Sequence, residues 1–566
     1  MPAATRLKVV LCWHMHQPEY RDLISGESLL PWTYLHAIKD YSDMAAHLES
    51  VPGATAVVNF SPVLLLQLEE YANQVAAHRA LGTPLRDSLL ATLTPAGIPE
   101  NLAAREQVIR ECLRVNRERI VERFAPFNDL AALAAGFLKP GAVRYAARDF
   151  LVDLTVWYHL GWLGESVRQS DKRVAALVAK ARDFDAADCR QLLEVIGDLL
   201  DGIVPRYRAL AVAGKVELSV TPYGHPILPL MLDFHAARDA QPDCVLPGDA
   251  AYPGAQARVR WHLAAAIELF ERVFGMRPQG CWPSEGAVSD TALAYIEDAG
   301  FHWAATGELV LRNSLTRHQR WQGEEQITSL HRPYRLSGRR LNVFFRHDAL
   351  SDLIGFSYSK WHGDDAAANL TTHLEQLADV FDGQAERVVA IILDGENAWE
   401  YYPFNGDFFL SALYKRLTSS ARLELTTFAR CVGATQAQEL PSIVAGSWVY
   451  GTFSTWIGEA GKNRAWEMLC DAKRVFDQVA NAGALNTSEM RAAERQLAVC
   501  EGSDWCWWFG EVNSAEQVAT FDGLYRRHLT NLYTLLQTAP PAYLAEPFAH
   551  GGGTPELGGV MRRAQA

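Results

Sequence analysis

Two carboxylic acids, Glu285 in "CWPSEG" and Asp394 in "LDGENAWEYY", each follow a short apolar run and are separated by a long stretch of chain. At the ends of two parallel strands they would face one another across a barrel mouth, where reactive groups gather. One acid, its pKa raised by apolar or like-charged neighbours, can protonate a leaving oxygen while the other attacks or activates water. That is the chemistry of glycoside hydrolysis. Alone, the pair carries little weight, because structural carboxylates also cap helices and form salt bridges at strand ends.

Other strand ends add to the pair. The stretch "VVLCWHMHQPEY", residues 9–20, runs strand-forming apolar residues directly into His14, His16 and Gln17. Residues i and i+2 of a strand share a face, so the two imidazoles can converge on a metal or on a substrate. A metal-dependent barrel hydrolase therefore stands as an alternative, with His225, His347 and Asp394 available as further ligands. "TPYGHPILP" supplies Tyr223 and His225, and "RHDALSD" supplies His347 and Asp348 beside Arg346 and Asp352. Trp282 precedes Glu285, and Glu396 and Trp399 follow Asp394. The chain carries 16 Trp with 19 Tyr and 23 Phe, and several Trp stand beside polar loop signals, as in "HWAATG" and "KWHGDD". A sugar cleft needs such flat apolar faces with polar rims, but large aromatics also fill cores, so any single Trp is evenly balanced.

The elements that would position these groups are legible as alternation. "LKVVLCW", "ATAVVNF", "KVELSV", "PQGCWP", "FHWAAT", "LNVFFRH" and "RVVAIIL" read as short buried strands. Segments of helical character lie between most of them, such as "SDTALAYIEDAG", with Ser289 or Asp290 to cap its start and Gly300 to close its end. Alternating strand and helix predicts a parallel sheet, and seven candidate strands predict an α/β fold with an incomplete or distorted barrel rather than an eight-fold one. Residues 62–214 exceed what one crossover needs and read as a helical insertion forming a lid or cleft wall. The predicted division is a catalytic barrel over 1–430, a C-terminal helical region over 431–550 and a flexible Gly-rich tail over 551–566. Within the second, the Trp cluster of "DWCWWFG" reads mainly as a pin between helices and barrel.

Composition removes several classes of function. A formal charge of -13, from 53 basic and 66 acidic residues, disfavours nucleic acid and anionic membranes as partners. No apolar run approaches the roughly 20 residues that span a bilayer, and the start lacks a signal-like apolar stretch, which predicts a cytoplasmic protein. The nine cysteines show no metal-type spacing and fit reduced, buried thiols. An acidic surface with a helical appendage suits a monomer or a dimer.

Taken in order, several stretches resemble glycoside hydrolase family 57. "WHMHQP" is similar to that family's first sequence region, "YGHPILPL" to its second, "GCWPSEGAVS" to its third, "ILDGENAWEYY" to its fourth and "TWIGEAGKNRAWEML", with Trp456, to its fifth. The matching stretches span residues 13–469. The resemblance implies a (β/α)7 barrel followed by helices, acting on α-glucans by a retaining double displacement with neither metal nor organic cofactor. Glu285 matches the nucleophile and Asp394 the general acid/base, while His14, His16 and His225 match histidines that bind the attacked sugar, with Trp282, Glu396 and Trp399 near them. The wording of the motifs is most like the α-amylase and amylopullulanase group, which implies cleavage of α-1,4 links, with α-1,6 links as a further target. Absence of long β-rich extensions and of a secretion signal points to glycogen or maltodextrin rather than extracellular starch. A 4-α-glucanotransferase or branching enzyme shares the intermediate, and a glucan-binding protein without catalysis is a further alternative.

Overall fold

The computed structural model of the protein describes residues 6–320, 325–381, 384 and 387–553. At its centre is β1, Leu7–Met15, flanked in parallel by β2, Ala56–Phe60, and on its other side by β8, Val388–Asp394. Every residue of β1 except Lys8 is buried, as expected for a parallel strand covered on both faces. The sheet continues from β2 through β3, Val216–Val220, β4, Gly280–Cys281, and β5, Trp303–Thr306, to β7, Asn342–Phe345. Beyond β7 the chain meets β8 again: Arg346 bridges Ala390, and the His347 N–H donates to the Ala390 carbonyl at 2.8 Å. The curled sheet thereby closes, and the expected distorted (β/α)7 barrel is the architecture observed.

Three further strands lie outside the runs that the sequence marks as strands, and they are less apolar than those, with Arg335, Glu424, Gln438 and Glu439 among their residues. β6, Tyr334–Leu336, runs antiparallel to β7, β10, Gln438–Leu440, pairs with β6, and β9, Leu423–Thr426, pairs with the start of β1. β10 lies within residues 431–550, the stretch read as a C-terminal helical region. β4 owes its close packing to a missing side chain, since a Cβ on Gly280 would fall 1.8 Å from the Trp303 ring.

Between β2 and β3 the chain is helical, with long helices at Pro62–Leu81, Leu102–Cys112, Ala125–Phe137, Arg148–Trp162 and Ala186–Val212. The first begins where sequence rules place a start: Ser61 accepts from the Leu64 N–H, Pro62 occupies the first turn, and Gly82 closes the end at φ 69°. After β10 come the helices Ala460–Ala482, Thr487–Cys500 and Ala515–Leu535, with the short turn Asp504–Trp508 between the last two. Of the Gly-rich end, residues 554–566 lie outside the described residues, and the Gly553 N–H donates to the Asn513 carbonyl at 3.1 Å. All nine cysteines are free, and only Cys244 is less than fully buried. No described helix is long and apolar enough to cross a membrane.

Candidate active site

The cleft lies at the C-terminal ends of the barrel strands, a cavity of about 440 Å³ lined by His14, His16, His225, Glu285, Asp394 and Glu396 among others. His14 and His16 leave β1 on one face, as the two-residue period requires, and His225 joins them from the turn after β3 at φ 57°. The rings form a stack: His16 lies 3.8 Å from His225 at 11°, and His14 lies 5.3 Å from His225 at 14°. Burial, and the neighbouring imidazoles, push the His14 pKa down to about 3 and that of His225 well below its usual value, so both are neutral.

Hydrogen bonds then fix the protons. Asn59 at the end of β2 donates from Nδ2 to Ser219, and its Oδ1 accepts from Thr221, which leaves Oδ1 as acceptor for His14 Nδ1–H at 2.7 Å. His14 Nε2 must accept, so His225 Nε2 donates across 3.2 Å. His225 Nδ1 in turn accepts from the Ser503 hydroxyl at 2.8 Å. His16 is held separately, by Ser61 at 2.7 Å and by Asp504 at 2.8 Å. Ser61 thus anchors His16 and caps a helix of the insertion with one side chain.

The carboxyl groups enter from two later strands. Glu285 sits in the turn after β4 in the left-handed region, φ 58°. Its carbonyl accepts the Trp448 N–H, and its Oε2 accepts the Trp448 indole N–H, both at 3.1 Å. Ser503 Oγ stands 3.4 Å from Oε1, and His225 Nδ1 stands 4.0 Å away. Burial, then the charges of Asp394 and Asp504, push the Glu285 pKa up to about 8. Asp394 ends β8, accepts from Asn397 at 2.8 Å, and is raised by burial to about 6. Between these values the pair keeps one proton, resting on Glu285. Ser503 Oγ lies between the two groups, 2.8 Å from His225 Nδ1 and within reach of Glu285 Oε1 as a donor at 3.4 Å, and its single proton serves one of them at a time.

Glu396 is held behind them: its Oε1 accepts from the His16 N–H, the Gln17 side chain and the Tyr41 hydroxyl, at 3.2, 3.1 and 3.0 Å. Its Oε2 is buried without a partner, and burial with the Asp394 charge raises its pKa. Gln17 lines the cleft with it.

The other expected contacts lie behind the cleft wall. Trp282 is fully buried between His14 and Trp448, Trp399 packs on Trp13 with its indole N–H given to the Gly395 carbonyl, and Trp456 lies beneath Trp507. Tyr223 packs edge-on against Trp261. Asp348 is paired with Arg346 at 2.6 Å, and His347 caps the short helix that follows it. These side chains support the site, and none of them lines the cavity. Conversely, Trp507 and Trp508 of "DWCWWFG" do line it, alongside Asp504, Trp448 and the insertion turn Arg114, Val115 and Asn116. Asn59 and Ser61 close β2 and are found by the strand-end rule once that strand is included; Asp504 and Trp448 have no such local signal.

Among the described residues, one group has the composition of a metal site: His16, His225 and Asp504, with ligand atoms within 4.8 Å of one another. It shares only two histidines with the set drawn from sequence. The stacked rings of His16 and His225 aim their lone pairs along parallel planes rather than at one point, and the His16 nitrogens and His225 Nδ1 are committed to Ser61, Asp504 and Ser503.

The geometry agrees with comparison to known proteins. The family model described as glycosyl hydrolase family 57 matches residues 10–443. No curated protein matches the chain. Among solved structures, a branching enzyme from Pyrococcus horikoshii shares 14% identity at TM-score 0.57, over 99% of this chain and 100% of that one. An α-amylase from Thermotoga maritima shares 12% at TM-score 0.56, over 94% and 93%. A 4-α-glucanotransferase from Thermococcus litoralis shares 13% at TM-score 0.51, over 95% and 60%. With a barrel of this type, a carboxylate pair at its mouth and a family match over most of its length, the chain belongs to glycosyl hydrolase family 57.

Proposed function

We propose that the protein is an α-glucan-active retaining enzyme that cleaves α-1,4-glucosidic bonds through Glu285 and Asp394. The observation that carries this reading is one cleft lined by two carboxyl groups, both pushed above their usual pKa by burial, beside a wall of stacked imidazoles. The fold relatives named as a branching enzyme, an α-amylase and a 4-α-glucanotransferase support the substrate class.

In the first half-reaction a carboxylate oxygen of Glu285 attacks the anomeric carbon, the glycosidic C–O bond breaks, and Asp394 gives its proton to the departing oxygen. In the second, Asp394 takes a proton from the incoming hydroxyl, whose oxygen forms the new bond as the ester to Glu285 breaks. His14, His16 and His225 line the side of the cleft assigned to the attacked sugar, and because their ring nitrogens are bonded to Asn59, Ser61, Asp504, Ser503 and one another, a sugar hydroxyl reaches them by displacing one of those partners. The resting proton order is the reverse of what attack needs. Positive charge developing at the anomeric carbon beside Glu285 favours its ionised form, which moves the proton to Asp394.

That resting order also favours a second reading, in which Glu285 is the acid and Asp394 the nucleophile. A donor with fluoride as leaving group separates them, since fluoride departs without protonation. With α-maltosyl fluoride, Asp394→Ala keeps forming the intermediate and Glu285→Ala does not; the opposite pattern would exchange the roles. A time course from maltoheptaose then distinguishes hydrolysis, which gives only shorter products, from transfer, which also gives longer ones. Inert Glu285→Gln protein with active wild type is the expected result, and near-normal turnover by that variant would sink the proposal.

A further inference from the structure

One wall of the cleft has polar groups for which the chemistry above gives no task. The helical stretch that starts at Trp32 widens to a π-turn over Ala37–Tyr41, a local irregularity that often marks functional positions. The widened turn directs Lys39 and Asp40 inward, 2% and 0% exposed, while Tyr41 reaches Glu396. Asp40 accepts from His36 Nδ1–H at 2.7 Å and from Lys39 Nζ at 2.5 Å. Lys39 also donates to Asn405 Oδ1 at 3.0 Å, which ties the turn to the loop following Asp394.

His36 and Glu400 both line the cleft. With Nδ1 committed to Asp40, His36 keeps Nε2 free of protein partners among the described residues. Glu400 likewise has no hydrogen-bond partner among them, and burial raises its pKa against the lowering effect of the Lys39 charge. Asn397, Glu400 and Tyr401 follow Asp394 on one loop and line the same cavity, so this wall stands on the side of the group that protonates the leaving oxygen. The histidine stack and Glu285 stand on the side of the sugar under attack.

We propose that His36, held by Asp40 and Lys39, and Glu400 beside it bind the hydroxyls of the sugar on the leaving-group side, and so set how often a sugar rather than water takes the glycosyl group. The inference rests on the assignment of Asp394 as general acid/base. An imidazole oriented by a buried carboxylate and a glutamate with free oxygens are matched to a polyhydroxyl acceptor, because each can exchange hydrogen bonds with a hydroxyl. A hydrogen bond to a charged group contributes enough to change occupancy by about tenfold.

The test uses α-maltosyl fluoride as donor and maltose as acceptor, comparing wild type with Glu400→Gln and His36→Asn. The quantity read is transfer product per fluoride released, which cancels any general loss of rate. Both variants are expected to lower that ratio by about tenfold at fixed acceptor concentration. An unchanged ratio in both variants, whatever the total rate, overturns the inference and leaves the proposed function standing. Wild type that releases fluoride but forms no transfer product at high acceptor concentration overturns it as well. Wild type that releases no fluoride removes the proposed function and this inference together.

Discussion

Glu285 and Glu501 are both largely withdrawn from solvent, with side chains 12% and 0% exposed, and they titrate in opposite directions. Glu501, just after the helix Thr487–Cys500, accepts from Tyr252, from Arg258 through both Nε and Nη2, and from His262 Nε2 at 2.7 Å. Although burial raises it, the charges of Arg258 and His262 and their hydrogen bonds outweigh that effect and hold its pKa at about 2. Glu285 has one indole donor and a distant hydroxyl, faces two other carboxylates, and stands at about 8. The first is a structural carboxylate whose charge is fully compensated. The second is left under-compensated, and that deficit keeps a proton near neutral pH, where the proposed bond cleavage would use one. The two are linked in space: His262 also accepts the Gly224 N–H, next to His225, and Ser503 and Asp504 follow Glu501 into the cleft.

Substitution should separate the two glutamates most sharply. Glu285→Gln is expected to lower turnover by about 10⁴-fold or more while the fold persists, read as product release from maltoheptaose. Because Glu285 already holds the proton near neutral pH, exchanging it for a neutral amide should leave Tm nearly unchanged there and raise it only above about pH 8, where an under-compensated charge is removed. Glu501→Gln should instead cost about 3–5 kcal/mol by leaving Arg258 buried with a neutral partner, as measured by denaturant unfolding. A stable Glu501→Gln protein, or a destabilised Glu285→Gln protein, would erase the distinction.

The pH dependence should carry the same contrast. The folded-state values of Glu285 and Asp394 lie above those of unfolded carboxyls, so the folded protein binds extra protons between roughly pH 4.5 and 8, and stability falls as pH rises through about 6 and about 8. Glu501 is depressed, so its contribution is present above roughly pH 4.5 and lost as pH falls towards about 2. Activity should be bell-shaped with limbs near 6 and 8: below the first, both acids are protonated and no nucleophile remains; above the second, no proton remains for the leaving group. A profile of kcat/KM that is flat from pH 5 to 9 would contradict the shared proton.

The barrel was legible because parallel strands buried on both faces are written as continuous apolar runs, and each quoted run became a strand. Glu285, Asp394, His14, His16, His225, Gln17 and Glu396 were legible as polar residues at strand ends, a rule that needs only local order, and all of them line the cleft. The tryptophans show where that reasoning stops. A Trp beside a polar loop is exposed or buried according to what packs above it, which for Trp282 is Trp448 and for Trp456 is Trp507. Ser503 and Asp504 come from helices far beyond the last barrel strand and reach the site through long-range contacts, the Ser503 N–H to the His225 carbonyl at 2.9 Å among them. No periodicity within their own segment encodes that contact.

The smallest effect concerns what remains of compensation at Glu285. Trp448→Phe keeps an aromatic ring against Trp282 and under the Arg346 guanidinium, and removes the indole N–H that reaches Glu285 Oε2. That donor favours the ionised carboxylate, so its loss should raise the Glu285 pKa further and move the alkaline limb of kcat/KM to higher pH. Turnover at neutral pH should fall by about tenfold, the worth of one hydrogen bond to a charged group. A variant with an unmoved alkaline limb and only a raised KM would make Trp448 a packing surface for sugar. Glu285 would then owe its titration to burial and its acidic neighbours alone, and the contrast with Glu501 would rest entirely on the arginine and histidine that Glu285 lacks.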